Sequence, residues 1–328
     1  MDRAQRFPGT IKLRVAPSDD PAQIPAVNFR LLPVLIALVV ALSPAAQAVV
    51  INTASGTGNT NAPSDDPGWA NVGVLNGASG IYLGAGWVLT AAHVGVGSIS
   101  FAGVSYNALT NTLVQLTNNA PGRTVFTDLI MFQLASTPAG LGPLTLASSA
   151  PTLGTAVTMI GAGRDRGAFT EWNVNQATTP WTWTVVSSSG NAAGYQTLES
   201  QTLRWGTNTV SSTDFWVSAD GSPDVKSFST TFTDSFFASN EAQAVLGDSG
   251  GAVFTKRESA WELGGVMFGV GGYSGQPSAT TNAIYGNVTY SADLSFYSPQ
   301  IMSIIPEPTT YALLALSAAT MVLMMRRS

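Results

Sequence analysis

Short β-branched and aromatic runs recur along the middle of the chain between clusters of Gly, Asn, Ser and Thr. They include Ile81-Tyr82-Leu83, Trp87-Val88-Leu89, Trp181 to Val186, Phe215-Trp216-Val217, Ala252-Val253-Phe254 and Gly265-Val266-Met267-Phe268. Apolar runs of this length bounded by turn-forming residues predict strands. Stripes at helical spacing are scarce, so helix is the minor element and the expected class is all-β, a sandwich or barrel. Between Arg164 and Glu241 the apolar runs thin out among Ser, Thr and Asn. That stretch is expected to hold large surface loops, which in β-rich folds often carry substrate contacts.

Both ends of the chain carry a different pattern. Leu31 to Ser43 is a continuous apolar run with Arg30 before it and Pro44-Ala45-Ala46-Gln47-Ala48 after it. A basic flank, an apolar core and an A-x-A site predict a signal peptide cleaved after Ala48. A first transmembrane helix is the alternative, although the run is short for one. The polar extension from Met1 to Asn28 is long for such a signal and suggests a translation start at Val27. At the other end, Pro306-Glu307-Pro308 precedes the apolar run Tyr311 to Met325 and then Arg326-Arg327. Apolar residues followed by arginines read as a membrane stop with the charges left inside.

Composition narrows the chemistry. The 328-residue chain carries a net charge of -5, only 10% charged residues, one histidine and no cysteine. No basic stripe points to nucleic acid. Disulfides, thiolate metal sites and multi-histidine zinc sites are excluded, and no cofactor or metal is called for.

The remaining chemistry gathers around Gly247-Asp248-Ser249-Gly250-Gly251. Glycines on both sides of a serine permit a sharp turn that presents the hydroxyl and frees amide N–H groups for an anion. The pattern alone also fits the G-x-S-x-G elbow of α/β-hydrolases or a plain turn. A serine nucleophile needs a base, and the only imidazole is His93, directly after the strand Gly86-Trp87-Val88-Leu89. The base needs an orienting group, and Asp128 is the only acid from Val94 to Arg164; it heads the apolar run Leu129 to Leu134. No histidine follows Ser249, which excludes the α/β-hydrolase order. Asp65 or Asp66 could formally supply the subtilisin order, but both sit in a Pro- and Ser-rich turn. The order left is His93, Asp128, Ser249.

These three segments resemble the histidine, aspartate and serine motifs of the trypsin/chymotrypsin-like serine proteases. The likeness covers about residues 68 to 299 and implies two packed six-stranded antiparallel β-barrels with the site in the cleft between them. It implies His93, Asp128 and Ser249 as catalytic residues and the N–H groups of Gly247 and Ser249 as the oxyanion hole. Gln243 falls at the base of the primary pocket, and Phe268 and Gly269 match its wall. A neutral amide at Gln243 argues against a Lys or Arg preference, with Glu241 close enough in sequence to complicate the point. The aspartate matching Asp248 pairs, in the family, with the ammonium that activation cleavage creates; here signal removal itself would expose Val49.

The C-terminal pattern resembles the PEP-CTERM sorting signal of Gram-negative bacteria, which implies export, exosortase processing and transient membrane contact; a permanent tail anchor is the alternative. The expected organisation is a signal peptide with its extension over 1–48, an extended lead-in over 49–67, β-barrels over 68–151 and 152–299, and the sorting segment over 300–328. The expected function is that of an exported serine endopeptidase acting on protein or peptide substrates. A catalytically silent, adhesive β-domain of the extracellular matrix, and an esterase on the same fold, are the competing readings.

Overall fold

The structure is a computed structural model that describes residues 49–53, 56–218, 223–234 and 240–305. The expected signal segment and the apolar C-terminal run lie outside the described residues. Among the described residues, no helix is long and apolar enough to cross a membrane.

The chain enters as β1 (Val50–Ile51) and then builds a seven-stranded sheet. Its members are β2 (Val72–Leu75), β3 (Ala78–Gly84), β4 (Trp87–Ala91), β5 (Ile99–Phe101), β6 (Val104–Tyr106), β7 (Ala108–Thr117) and β8 (Phe126–Leu134). The order across the sheet is β6-β5-β2-β3-β4-β8-β7. The central strands β3 and β4 are buried at every position. Both of their faces are covered, which is why Ile81-Tyr82-Leu83 and Trp87-Val88-Leu89 read as continuous apolar runs rather than alternating ones.

The second half supplies β9 (Ala156–Gly161), β10 (Arg164–Asn175), β11 (Thr182–Val186), β12 (Ala192–Gln201), β13 (Arg204–Val217), β14 (Val225–Thr231), β15 (Ala242–Gln243), β16 (Ala252–Arg257), β17 (Ala260–Gly271), β18 (Asn282–Ile284) and β19 (Val288–Asp293). Six of these close a barrel in the order β13-β14-β19-β17-β16-β9. The closed barrel and the curled seven-stranded sheet form a chymotrypsin-like double barrel. One apolar core joins the two: Val72, Ile81, Leu89, Leu129 and Met131 from the first sheet pack with Ile160, Phe254, Leu263 and Val266 from the barrel. Each such side chain taken out of water contributes roughly 1.5–3 kcal/mol, so the two halves are held in fixed relation across the cleft.

The stretch from Arg164 to Glu241 corrects the expectation of large loops. It contains the long strands β10, β12, β13 and β14, and β10, β11, β12 and β18 make a separate sheet in the order β11-β10-β12-β18. Much of this sheet faces solvent; β12 has one buried position, Gly194. Polar residues such as Thr and Gln suit such a surface, so the pattern carries no apolar stripe although the strands are hydrogen-bonded to one another.

The described chain ends in α1 (Leu294–Ile304), capped by Asp293, whose carboxylate accepts from the Ser295 N–H at 3.0 Å. Its buried face is Leu294, Tyr297 and Ile301. The Tyr297 hydroxyl donates to Asn118 at 2.8 Å and lies 3.0 Å from the Thr127 hydroxyl, so α1 braces the first sheet next to Asp128.

Candidate active site

β4 and β8 pair antiparallel, with Thr90 opposite Ile130 and Ala91 opposite Leu129. The chain then leaves β4 in a 3-10 turn, Ala92–Val94, which sets His93 beside Asp128. The Asp128 carboxylate grips the histidine twice. One oxygen accepts the His93 main-chain N–H at 3.0 Å, and the other lies 2.7 Å from the ring Nδ1. Asp128 is nearly buried, whereas the His93 side chain is 48% exposed. A carboxylate on Nδ1 selects the tautomer protonated there and leaves Nε2 as the proton acceptor. The hydrogen bond to Asp128 raises the His93 pKa above its usual 6.5, with partial burial working in the opposite direction.

The Gly247 to Gly251 loop joins β15 to β16 across the cleft. Gly250 has φ 82°, and a Cβ there would lie 2.0 Å from the Ser79 carbonyl oxygen and 2.1 Å from the Thr90 hydroxyl. Only glycine fits that approach. Ser79 of β3 stitches the loop to the first sheet: its N–H donates to Ser249 O at 2.9 Å and its hydroxyl to Gly247 O at 3.1 Å. Within the loop the N–H groups of Asp248, Gly250 and Gly251 donate to Val245 O, Met267 O and Asp248 O. Those of Gly247 and Ser249 have no acceptor among the described residues. Two free N–H groups beside a half-buried hydroxyl that borders a cavity are suited to hold an oxyanion.

His93 and Ser249 line one cavity of about 180 Å³ with Ala244, Val245, Met267, Phe268, Gly269 and others. No hydrogen bond joins His93 to Ser249; such bonds commonly tighten only when substrate is bound. Phe268 and Gly269 are thus brought to the cavity that holds His93 and Ser249. Gln243 lies fully buried on β15 behind this wall, its amide nitrogen directed at the carbonyls of Ala244 and Ala279, 3.3 and 3.4 Å away. The Glu241 carboxylate is spent on the N–H and hydroxyl of Thr233 and does not line the cavity. Asp65 pairs with Lys256 and Trp261, and Asp66 accepts from Gly68 and Trp69, so neither serves His93.

Asp248 points the other way, into the barrel. Completely buried, it accepts main-chain N–H groups of Gly163, Val245 and Val49, and desolvation still pushes its pKa up to about 7. Val49 is itself fully buried, and β1 after it pairs with β15, Val50 opposite Gln243. The separate sheet clamps this segment. Arg166 donates to the carbonyls of Ile51 at 2.9 Å and Thr53 at 2.6 Å and lies over the Tyr195 ring, while Tyr195 and Tyr285 both donate to the Asn52 side chain. Sequence reasoning missed Ser79, Arg166, Tyr195 and Tyr285. Each acts on a partner more than 80 residues away, and no local pattern marks them.

No curated protein matches the chain. A solved structure described as the Rv3671c protease in an inactive form is 14% identical, with 73% of this chain and 91% of that chain covered at a TM-score of 0.39. The family model described as Trypsin matches residues 55–294, from just after β1 to the start of α1, and the chain belongs to that family of serine proteases.

Proposed function

We propose that the protein is an exported serine endopeptidase that cleaves peptide bonds by acyl transfer. The observation that carries the reading is the double grip of Asp128 on His93, with Ser249 across the same cavity. In this reading Ser249 Oγ attacks the peptide carbonyl as its proton passes to His93 Nε2. The N–H groups of Gly247 and Ser249 receive the developing negative charge, and Asp128 stabilises the imidazolium. His93 then hands the proton to the leaving amine, and water, deprotonated by the same imidazole, releases the acyl group.

Export and activation are parts of the same proposal. Val49 follows the A-x-A site directly, and its N–H donates to Asp248 while still an amide. Removal of residues 1–48 would convert that donor to an ammonium, so that a signal peptidase cut also completes the serine loop. The C-terminal segment would contact the membrane transiently before exosortase-type processing. Labelling of Ser249 by a fluorophosphonate, abolished in Ser249→Ala, together with N-terminal sequencing of the labelled chain, tests both parts. A chain that degrades casein equally well as Ser249→Ala, or whose active form starts well downstream of Val49, overturns the corresponding part.

A further inference from the structure

The four-stranded sheet carries a second concavity, of about 560 Å³, that takes no part in the chemistry above. Its lining includes the rings of Phe169, Trp181, Trp183 and Tyr273 and the carboxylates of Glu171 and Asp234. Trp181 and Tyr273 stack with centroids 6.1 Å apart, and Trp183 meets Tyr273 at the same distance, so the aromatic wall is built rather than incidental. Phe169 is 53% and Tyr273 41% exposed, so both rings are open to solvent.

The charges in the cleft all have one sign. Neither Glu171 nor Asp234 has a hydrogen-bond or ion-pair partner among the described residues, and no Lys or Arg lines the cleft. Arg166, on the same strand as Glu171, is engaged by the Ile51 and Thr53 carbonyls and the Tyr195 ring. Fixed donors for a neutral polyol are few, since the Trp183 N–H is given to Ser274 O at 3.0 Å and Asn191 bonds Val174 through both side-chain atoms. Aromatic faces beside unpaired carboxylates attract cations through the ring quadrupole and the net charge together.

One loop contributes to both this cleft and the cavity beside Ser249. Both are bordered by the loop from Gly272 to Thr281: Tyr273 lines the cleft and Thr280 lines the cavity. The loop is pressed onto the aromatic wall at Gly275, where a Cβ would lie 2.0 Å from Trp181 O. The chain between Tyr273 and Thr280 thus connects the cleft to the cavity beside Ser249.

We propose that the aromatic and acidic cleft binds a lysine or arginine side chain of the polypeptide substrate, as a recognition site separate from the cavity beside Ser249. The identity of the occupant as substrate rests on the proteolytic reading; the preference for a cation does not. The test uses the mature Ser249→Ala chain, in which nothing is cleaved, titrated with acetyl-tetralysine amide and with its Nε-acetylated counterpart by calorimetry and tryptophan fluorescence. The tetralysine is expected to bind saturably, and the acetylated peptide about tenfold more weakly. Glu171→Gln with Asp234→Asn, both isosteric and on the surface, is expected to remove that difference with the melting temperature unchanged. Equal affinity for the two peptides, binding unaltered in the double variant, or preference for a neutral tetrasaccharide such as cellotetraose overturns the proposal. Absence of fluorophosphonate labelling in the wild type would instead count against the proteolytic reading and leave the titration result standing.

Discussion

The main-chain N–H of Val49 donates to the buried carboxylate of Asp248, directly behind the loop that presents Ser249. While Val49 remains amide-linked, burial pushes Asp248 up to about 7, against an ordinary value of 3.8 in the unfolded chain. The folded state therefore binds a proton more tightly between those values, and stability falls as pH rises from about 4 through 7. The ionised form costs on the order of 4 kcal/mol. An ammonium at Val49 favours the carboxylate and flattens that slope. Urea unfolding of Ser249→Ala chains should accordingly show a steeper loss between pH 4 and 8 when residues precede Val49 than when the chain begins there. His93 and Asp165, the latter pushed up to about 6 by burial, titrate in both forms and cancel in the difference. Parallel slopes would refute the coupling.

The contrast between the site and its surroundings explains what a sequence alone can carry. Gly250 is legible because a Cβ there would lie 2.0 Å from Ser79 O, so the residue type encodes the geometry. His93 and Asp128 are legible because so few alternatives exist in a chain with one histidine. The strands under the site are legible because two covered faces demand unbroken apolar runs, as in β3. In the sheet of β10, β11, β12 and β18 only the aromatic, β-branched β11 is legible, because a solvent-facing strand of Thr, Gln and Ala resembles a loop until its pairing is known. Its role is hidden for the same reason. The clamp of Arg166 on Ile51 spans 115 residues of sequence and leaves no periodic trace.

Activity and histidine stability should run in opposite directions with pH. The bond to Asp128 raises the His93 pKa above 6.5, so this group's contribution to stability is full below pH 6.5 and is lost as pH rises through the raised value. Catalysis needs the neutral ring and therefore appears over that same rise. The acid limb of kcat/KM should lie above pH 6.5 in the wild type. Asp128→Asn should move it lower and reduce kcat by about 10⁴-fold, because the amide no longer selects the Nδ1-protonated tautomer. An unchanged acid limb in that variant would mean that Asp128 does not govern His93.

Primary specificity should follow the apolar wall. Ala244, Val245, Met267 and Phe268 line the cavity, and the Glu241 carboxylate is turned away onto Thr233. Substrates with Leu or Met before the scissile bond should exceed those with Lys or Arg in kcat/KM. Gly269 offers a second check, since a Cβ there would meet only Tyr290, 3.9 Å away. Gly269→Val should fold normally, narrow the cavity, and lower kcat/KM for Leu more than for Ala. A uniform loss across the panel would place Gly269 outside the specificity wall.

Arg166 should act on the serine loop without touching it. Its guanidinium holds the Ile51 and Thr53 carbonyls and packs over Tyr195 at 4.2 Å, which keeps residues 50–53 in register with β15 and Val49 on Asp248. Arg166→Met retains much of the aliphatic packing but removes the two charge-assisted hydrogen bonds, at a cost of about 2–3 kcal/mol. Hydrogen exchange at Val50 and Ile51 should accelerate more than at β3 or β4, and kcat should fall while KM changes little, because a loosened Val49 releases the loop that carries the Gly247 and Ser249 N–H groups. If Arg166 served stability alone, exchange would rise evenly through the barrel and kcat would hold at temperatures well below the melting point.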